Sequence, residues 1–210
     1  MTRRLLIVHP RKYYDPLEIT KPAIMEFACQ FPERDIFVLQ DDESTTVQYM
    51  GRRFPNMPHS KGGEIRDDDV RRLLSDCTDL TLVGHNFNDC HHTAFEAVVR
   101  CTDFVALDIT VPTYASTEGC HFRPMSDIIR RSCETYEKSP CDIFYQFGQP
   151  YHDISTEEKI TLKETQRYVK VANLCCSVDV YVGGKKVFDR QKGNRKINII
   201  FCNRPPIDFR

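Results

Sequence analysis

The densest collection of reactive side chains is the run Gly84-His85-Asn86-Phe87-Asn88-Asp89-Cys90-His91-His92. It follows a short, largely apolar stretch at 80–83 that reads as a buried strand. It precedes residues 93–100, which read as a helix. Asn88 or Asp89 can cap that helix, which puts Cys90 in its first turn. Unpaired backbone N–H groups and the positive end of the helix dipole favour a thiolate there, and nearby cations lower a thiol pKa further. The same N–H groups, around Asp89 and Cys90, can hold the oxyanion formed when sulfur attacks a carbonyl. His85, Asp89, His91 and His92 suggest a second chemistry, metal ligation. Adjacent His91 and His92 leave a helix in different directions, so at most one of them joins His85 and Asp89 at one ion. Each reading has a plainer rival. In a chain with ten cysteines a given thiol is commonly packing filler, and polar residues between a strand and a helix commonly cap.

These residues need elements to position them. Residues 5–9 are an apolar run ending in His9 and stopped by Pro10, as a buried strand is. Thr20 and Pro22 open a helix whose Ile24, Phe27 and Ala28 share one face, and Pro32 closes it. A second buried strand occupies 36–39. Residues 44–64 are punctuated by Gly51, Pro55, Pro58, Gly62 and Gly63 and read as a long loop. Residues 65–77 form a charged amphipathic helix with Val70, Leu73 and Leu74 inward, and 104–107 a fourth strand ending at Asp108. Strand and helix alternating in this way imply βαβ units, a parallel sheet and helices on both faces. Ligands of such sheets bind beyond the carboxyl ends of the strands. That edge is expected to carry His9, Asp41, Asp42, the 84–92 turn and Asp108.

The remaining third reads differently. A helix is expected at 125–137 and strands at 159–163, 168–171 and 196–202. Residues 178–188 have the alternation of a hairpin around Gly183-Gly184. Tyr145, Phe147, Tyr151 and Phe144 read as a core plug, and Arg190, Lys192, Arg195 and Lys196 as a basic, solvated hairpin tip. The expected fold is therefore α/β, a mainly parallel sheet flanked by helices with an antiparallel carboxyl-terminal extension. Residues 1–118 form the core and 119–210 the extension.

Composition narrows the classes. With 40% hydrophobic and 28% charged residues the chain can bury a core without staples. A formal net charge of −1 argues against a protein whose main task is gripping nucleic acid or an anionic membrane. No apolar run approaches the ~20 residues of a membrane span. The opening residues lack a signal-peptide core, so a reducing, cytoplasmic setting is expected and the cysteines are read as free. Cys29, Cys101 and Cys202 read as small buried hydrophobes. Cys175-Cys176 has neither redox nor zinc-site spacing.

The region 4–117 resembles the isochorismatase-like family of cysteine hydrolases, which includes nicotinamidases and N-carbamoyl amidohydrolases. The likeness rests on Gly84, five residues, Cys90, then Thr93-Ala94 and Glu96-Ala97, with Leu5-Leu6-Ile7-Val8 similar to the opening strand and Phe104–Asp108 to the strand that follows. The resemblance implies hydrolysis of a small amide or related carbonyl compound without an organic cofactor, and a homodimer. Cys90 would be the nucleophile and Lys61 an electrostatic helper. The family's catalytic Asp at the end of the first strand is His9 in this chain, and Asp15 stands near the family's second acidic position. Imidazole can accept a thiol proton, so His9 would serve as general base. The alternative is a fold retained without its reaction, serving as an interaction or adaptor module. In the nicotinamidases an Asp after the second strand and nearby histidines bind zinc. The counterparts here would be Asp41 or Asp42 with His59, and His85 is a further candidate.

Overall fold

Strand β1 (Arg3–Val8) is apolar on both faces from Leu5 to Val8, so it must lie inside a sheet. It pairs in parallel with β2 (Ile36–Gln40) on one side and β5 (Asp79–Gly84) on the other. The structure, a computed structural model, describes residues 2–10, 18–40, 46–49, 51–58, 65, 67–101, 103–118 and 123–204. Beyond β2 lie β4 (Arg52–Pro58), parallel to it, and β3 (Thr46–Tyr49), antiparallel to β4. Beyond β5 lie β6 (Ala106–Pro112), β11 (Lys196–Cys202) and β9 (Ser177–Val182), all parallel. At the far edge β10 (Lys185–Arg190) turns back antiparallel. The sheet order is β10-β9-β11-β6-β5-β1-β2-β4-β3. A separate two-stranded ribbon, β7 (Thr117–Glu118) with β8 (Arg123–Pro124), follows β6.

Helix α1 (Lys21–Cys29) covers one face, packing Ile24 and Ala28 on Leu5, Ile7, Ile36 and Val38. Helices α2 (Asp67–Leu74), α3 (His92–Cys101), α4 (Met125–Lys138), α5 (Thr156–Glu164) and α6 (Gln166–Cys175) contribute to the larger core on the other face. The chain passes from β1 through α1 to β2 in one direction, then returns to β5 on the opposite side of β1. The β1/β5 boundary is thus a topological switch point, the place where sheets of this kind bind ligands beyond the carboxyl ends of the strands. No described helix is long and apolar enough to cross a membrane.

The α/β architecture, the parallel sheet and the β9–β10 hairpin agree with the sequence reading. Several elements do not. Residues 46–49 and 52–58, read as loop, are strands β3 and β4, with Gly51 (φ +76°) in the turn between them. Residues 159–163 and 168–171, read as strands, lie in α5 and α6. A capping box holds the start of α5: the Ser155 hydroxyl accepts from the Glu158 N–H, and Glu158 accepts from the Ser155 N–H. The strand at 104–107 runs instead from Ala106 to Pro112, with Leu107, Ile109 and Val111 buried. Asp108 therefore does not sit at the carboxyl edge. It pairs in register with Asp79, the first residue of β5, and accepts from Asn198 Nδ2 at 2.6 Å. The sheet and the larger core run through both 1–118 and 119–210. Of the aromatic cluster, Tyr145 and Phe147 are buried, while Phe144 and Tyr151 are exposed. The basic tip is not simply solvated. Lys192 donates to Leu174 O, Arg195 stacks on Phe104 and donates to Val99 O, and Lys196 pairs with Asp179.

Candidate active site at the switch point

The ends of β1 and β5 meet closely. Val8 and Gly84 are register partners, and the His85 N–H donates to Val8 O at 2.8 Å. A Cβ on Gly84 would stand 2.1 Å from Val8 O, and its φ is +124°, so only glycine fits. His9 takes the left-handed backbone (φ +46°), and its N–H donates to Leu39 O at 2.8 Å. His9 and His85, both buried, thus stand at adjoining strand ends. His85 Nδ1 lies 2.8 Å from Thr117 Oγ1 of β7.

Cys90 lies in a wide π turn, Phe87–His91, that runs directly into α3. Asn86 opens the turn in the left-handed conformation (φ +59°, ψ +57°), which Asn tolerates better than most residues. Its carbonyl accepts the N–H groups of Asp89 (3.0 Å) and His91 (3.2 Å). Its Nδ2 donates to Cys90 Sγ and to Asp89 Oδ2, both at 3.2 Å. The Cys90 thiol is partly exposed. It emerges at the amino end of a helical segment beside a neutral amide donor, with the Asp89 carboxylate sharing that donor. The Asp89 N–H, one of the oxyanion donors expected from the sequence, points at Asn86 O in this structure.

The histidines separate. His91 is fully buried, stacked on Phe87, with Nδ1 2.7 Å from Tyr168 Oη and Nε2 3.3 Å from Leu82 O. Burial pushes its pKa down to about 3, so it stays neutral and anchors the turn. Burial also lowers the pKa of His92, which packs edge-on to Tyr168. Neither joins His85 and Asp89 at an ion, and no group of three metal-ligating side chains occurs among the described residues. Lys61, Asp15, Asp41, Asp42 and His59 lie outside the described residues.

The structure adds residues that sequence reasoning missed. The Tyr168 hydroxyl donates to Phe87 O at 2.7 Å, clamping α6 to the π turn. Asn88 Nδ2 donates to the buried Glu118 carboxylate at 2.7 Å, tying the turn to β7. Two asparagines in a strand-to-helix turn were the available signal for Asn86 and Asn88. Tyr168 gave none, because its segment reads as a strand. Cys29, expected inside, is exposed together with Cys141 and Cys175. Burial raises the pKa of the Cys77, Cys101, Cys133, Cys176 and Cys202 thiols, as suits packing residues. No family model matches the chain, and neither a curated protein nor a solved structure does.

Proposed function

We propose that this protein is a cysteine-dependent hydrolase of a small amide or related carbonyl compound, resembling the isochorismatase-like family in plan. The observation that carries the reading is a partly exposed thiol at the amino end of a helix, at the switch point of a doubly wound sheet, with two imidazoles at the adjoining strand ends. In this mechanism His9 accepts the Cys90 proton and the sulfur adds to the carbonyl carbon. Asn86 Nδ2, already beside the sulfur, turns to the new oxyanion. Collapse expels the amine, which takes up the proton from His9. Water, deprotonated by the same imidazole, then adds to the thioester; the C–S bond breaks, the acid leaves, and the imidazolium returns its proton to the Cys90 sulfur. Lys61 assists electrostatically, as the resemblance implies. A nucleophilic thiol fits a reducing, cytoplasmic setting. A homodimer is supported by the alternation of buried and half-buried positions along β6 and β11, which leaves one face of those strands less covered than the other.

The test is alkylation by iodoacetamide across pH, with sites mapped by mass spectrometry. Exposed Cys29, Cys141 and Cys175 are internal standards. Cys90 is expected to react first, with an apparent pKa below the ordinary ~8.5, and Cys90→Ser to abolish turnover of small primary amides and N-carbamoyl compounds. Labelling of Cys90 no faster than the three standards would exclude a nucleophilic thiol. The Asp89 carboxylate beside that sulfur favours a second reading, an inactive fold used as an adaptor, and slow labelling is its outcome.

A further inference from the structure

Away from the switch point, α4 turns an unusual stripe toward a cavity of about 360 Å³ that it shares with α5 and the segment around Cys141–Ile143. Residues Ile128, Arg131, Ser132, Thr135, Tyr136 and Ser139 line it at successive spacings that alternate between three and one, which puts them on one helical face. The acids of α4 lie off this stripe. Asp127 and Glu134 pair with Arg130 on another face, at 3.6 and 2.5 Å. Arg123 from β8 and Lys163 from α5 complete the wall, so three cations and no carboxylate line the space, over a floor of Ile128, Ile143 and Ile160. No ion pair or hydrogen bond commits the side chains of Arg123, Arg131 or Lys163 among the described residues. One acid touches a lining residue: Glu164 accepts from Ser132 Oγ at 3.4 Å on the α5 side.

Cations on a protein surface normally gather carboxylates around them: Arg71, Arg72, Arg100 and Arg130 of α2, α3 and α4 each pair with an acid three or four residues away, and Arg100 also pairs with Asp67 of α2. A concave site of this volume with uncommitted guanidinium groups, hydroxyls on the wall and an apolar floor suits a ligand with the complementary two ends. Guanidinium forks match carboxylate and phosphate oxygens, and the isoleucine floor matches a short hydrocarbon body. We propose that the α4–α5 cavity binds a small organic oxyanion, a carboxylate or phosphate ester carrying an apolar chain of a few carbons. The proposal is independent of Cys90 chemistry, because none of its residues belongs to the switch-point site.

Calorimetric titration of the full chain with octanoate, hexyl phosphate, inorganic phosphate and 1-octanol tests it. Octanoate or hexyl phosphate, or both, are expected to bind, and the tighter of the two identifies which oxyanion the site takes. Inorganic phosphate and 1-octanol are each expected at least tenfold weaker. Arg131→Gln and Lys163→Gln, on exposed positions of α4 and α5, should each weaken the better probe by about five- to tenfold, with circular dichroism unchanged. Raising the salt from low to moderate concentration should weaken it as well. Binding of 1-octanol equal to octanoate, no binding of either amphiphile at millimolar concentration, or variants that bind like the parent would each overturn the proposal. An Ile128→Ala variant separates the two ends. It should weaken hexyl phosphate and leave inorganic phosphate unaffected, and the reverse pattern would also overturn it.

Discussion

At the scale of single residues, the pair His91–Tyr168 decides the shape of the candidate site although neither side chain reaches solvent. Tyr168 Oη donates to Phe87 O and lies 2.7 Å from His91 Nδ1, so Tyr168→Phe strips one partner from each of two buried polar groups while keeping the ring contacts. That loss is worth about 1–3 kcal/mol, read as a lower urea midpoint at neutral pH. The His91 imidazole also writes a pH signature. Its ordinary pKa is 6.5, and burial in the fold lowers it to about 3. Between those values the unfolded chain binds a proton that the folded chain refuses. Stability therefore falls as pH drops through that window, with a slope of up to about 1.4 kcal/mol per pH unit from this group. Above the ordinary value the group adds no slope. His91→Gln removes the titration, so urea midpoints measured between neutral pH and pH 4 should fall less steeply in the variant. Equal slopes would show that the imidazole is not held neutral in the fold.

At the scale of elements, the switch point depends on how closely β1 and β5 approach. Gly84→Ala would drive a methyl group into Val8 O at a backbone φ that L-residues avoid, and it should cost about 3 kcal/mol or more. Thermal melting checks this, and a variant within a few degrees of the parent would mean the strands can part without penalty. The sequence made this region legible. An apolar run ending at a glycine, followed by polar residues, located β5, the turn and Cys90 within a residue or two, although Asn86 opens the turn and the Asn88 and Asp89 side chains bond Glu118 and Asn86 instead of capping it. The hairpin turn at Gly183-Gly184 was legible for the same local reason. What it hid was α5 and α6. Lys159-Ile160-Thr161-Leu162-Lys163 alternates like a strand, yet the three consecutive residues Ile160, Thr161 and Leu162 are all buried, which a strand with one solvent-facing side would not allow. The Ser155-x-x-Glu158 box was the overlooked local marker, and Ser155→Ala should lower stability by about 1 kcal/mol. Strands β3 and β4 were hidden by Pro55 and Pro58, which break the usual strand pattern. The left-handed backbone at His9 and Asn86 had no sequence signal beyond residue type, because tertiary packing imposes it.

At the scale of the whole molecule, one sheet carries both β1 and β11, and the side built from β9, β10 and β11 is held by charge as well as by hydrocarbon. Strand β11, the last strand among the described residues, lies between β6 and β9, so it joins β9 and β10 to the rest of the sheet. At that insertion Asp179 of β9, 3% exposed, stands between Lys186 of the edge strand β10 at 3.0 Å and Lys196 of β11 at 2.9 Å. Both lysines contact the same carboxylate oxygen, and Lys186 also reaches Asp189 at 3.1 Å. The lysines are partly in water, so solvent screens each pair, and replacing either one by Met should cost about 1 kcal/mol or less. Losing both is a different matter, because the buried carboxylate then keeps no cation, and an uncompensated buried charge is costly. The double variant should therefore be destabilised by more than the sum of the singles, with a coupling of about 1–2 kcal/mol. Adding Asp179→Asn to the double variant should restore part of the loss, because the buried group is then neutral. A double-mutant cycle by urea denaturation measures all of these. Strict additivity, or no recovery on neutralising Asp179, would mean that this carboxylate is hydrated and that the three strands β10, β9 and β11 are joined by backbone pairing and apolar packing alone.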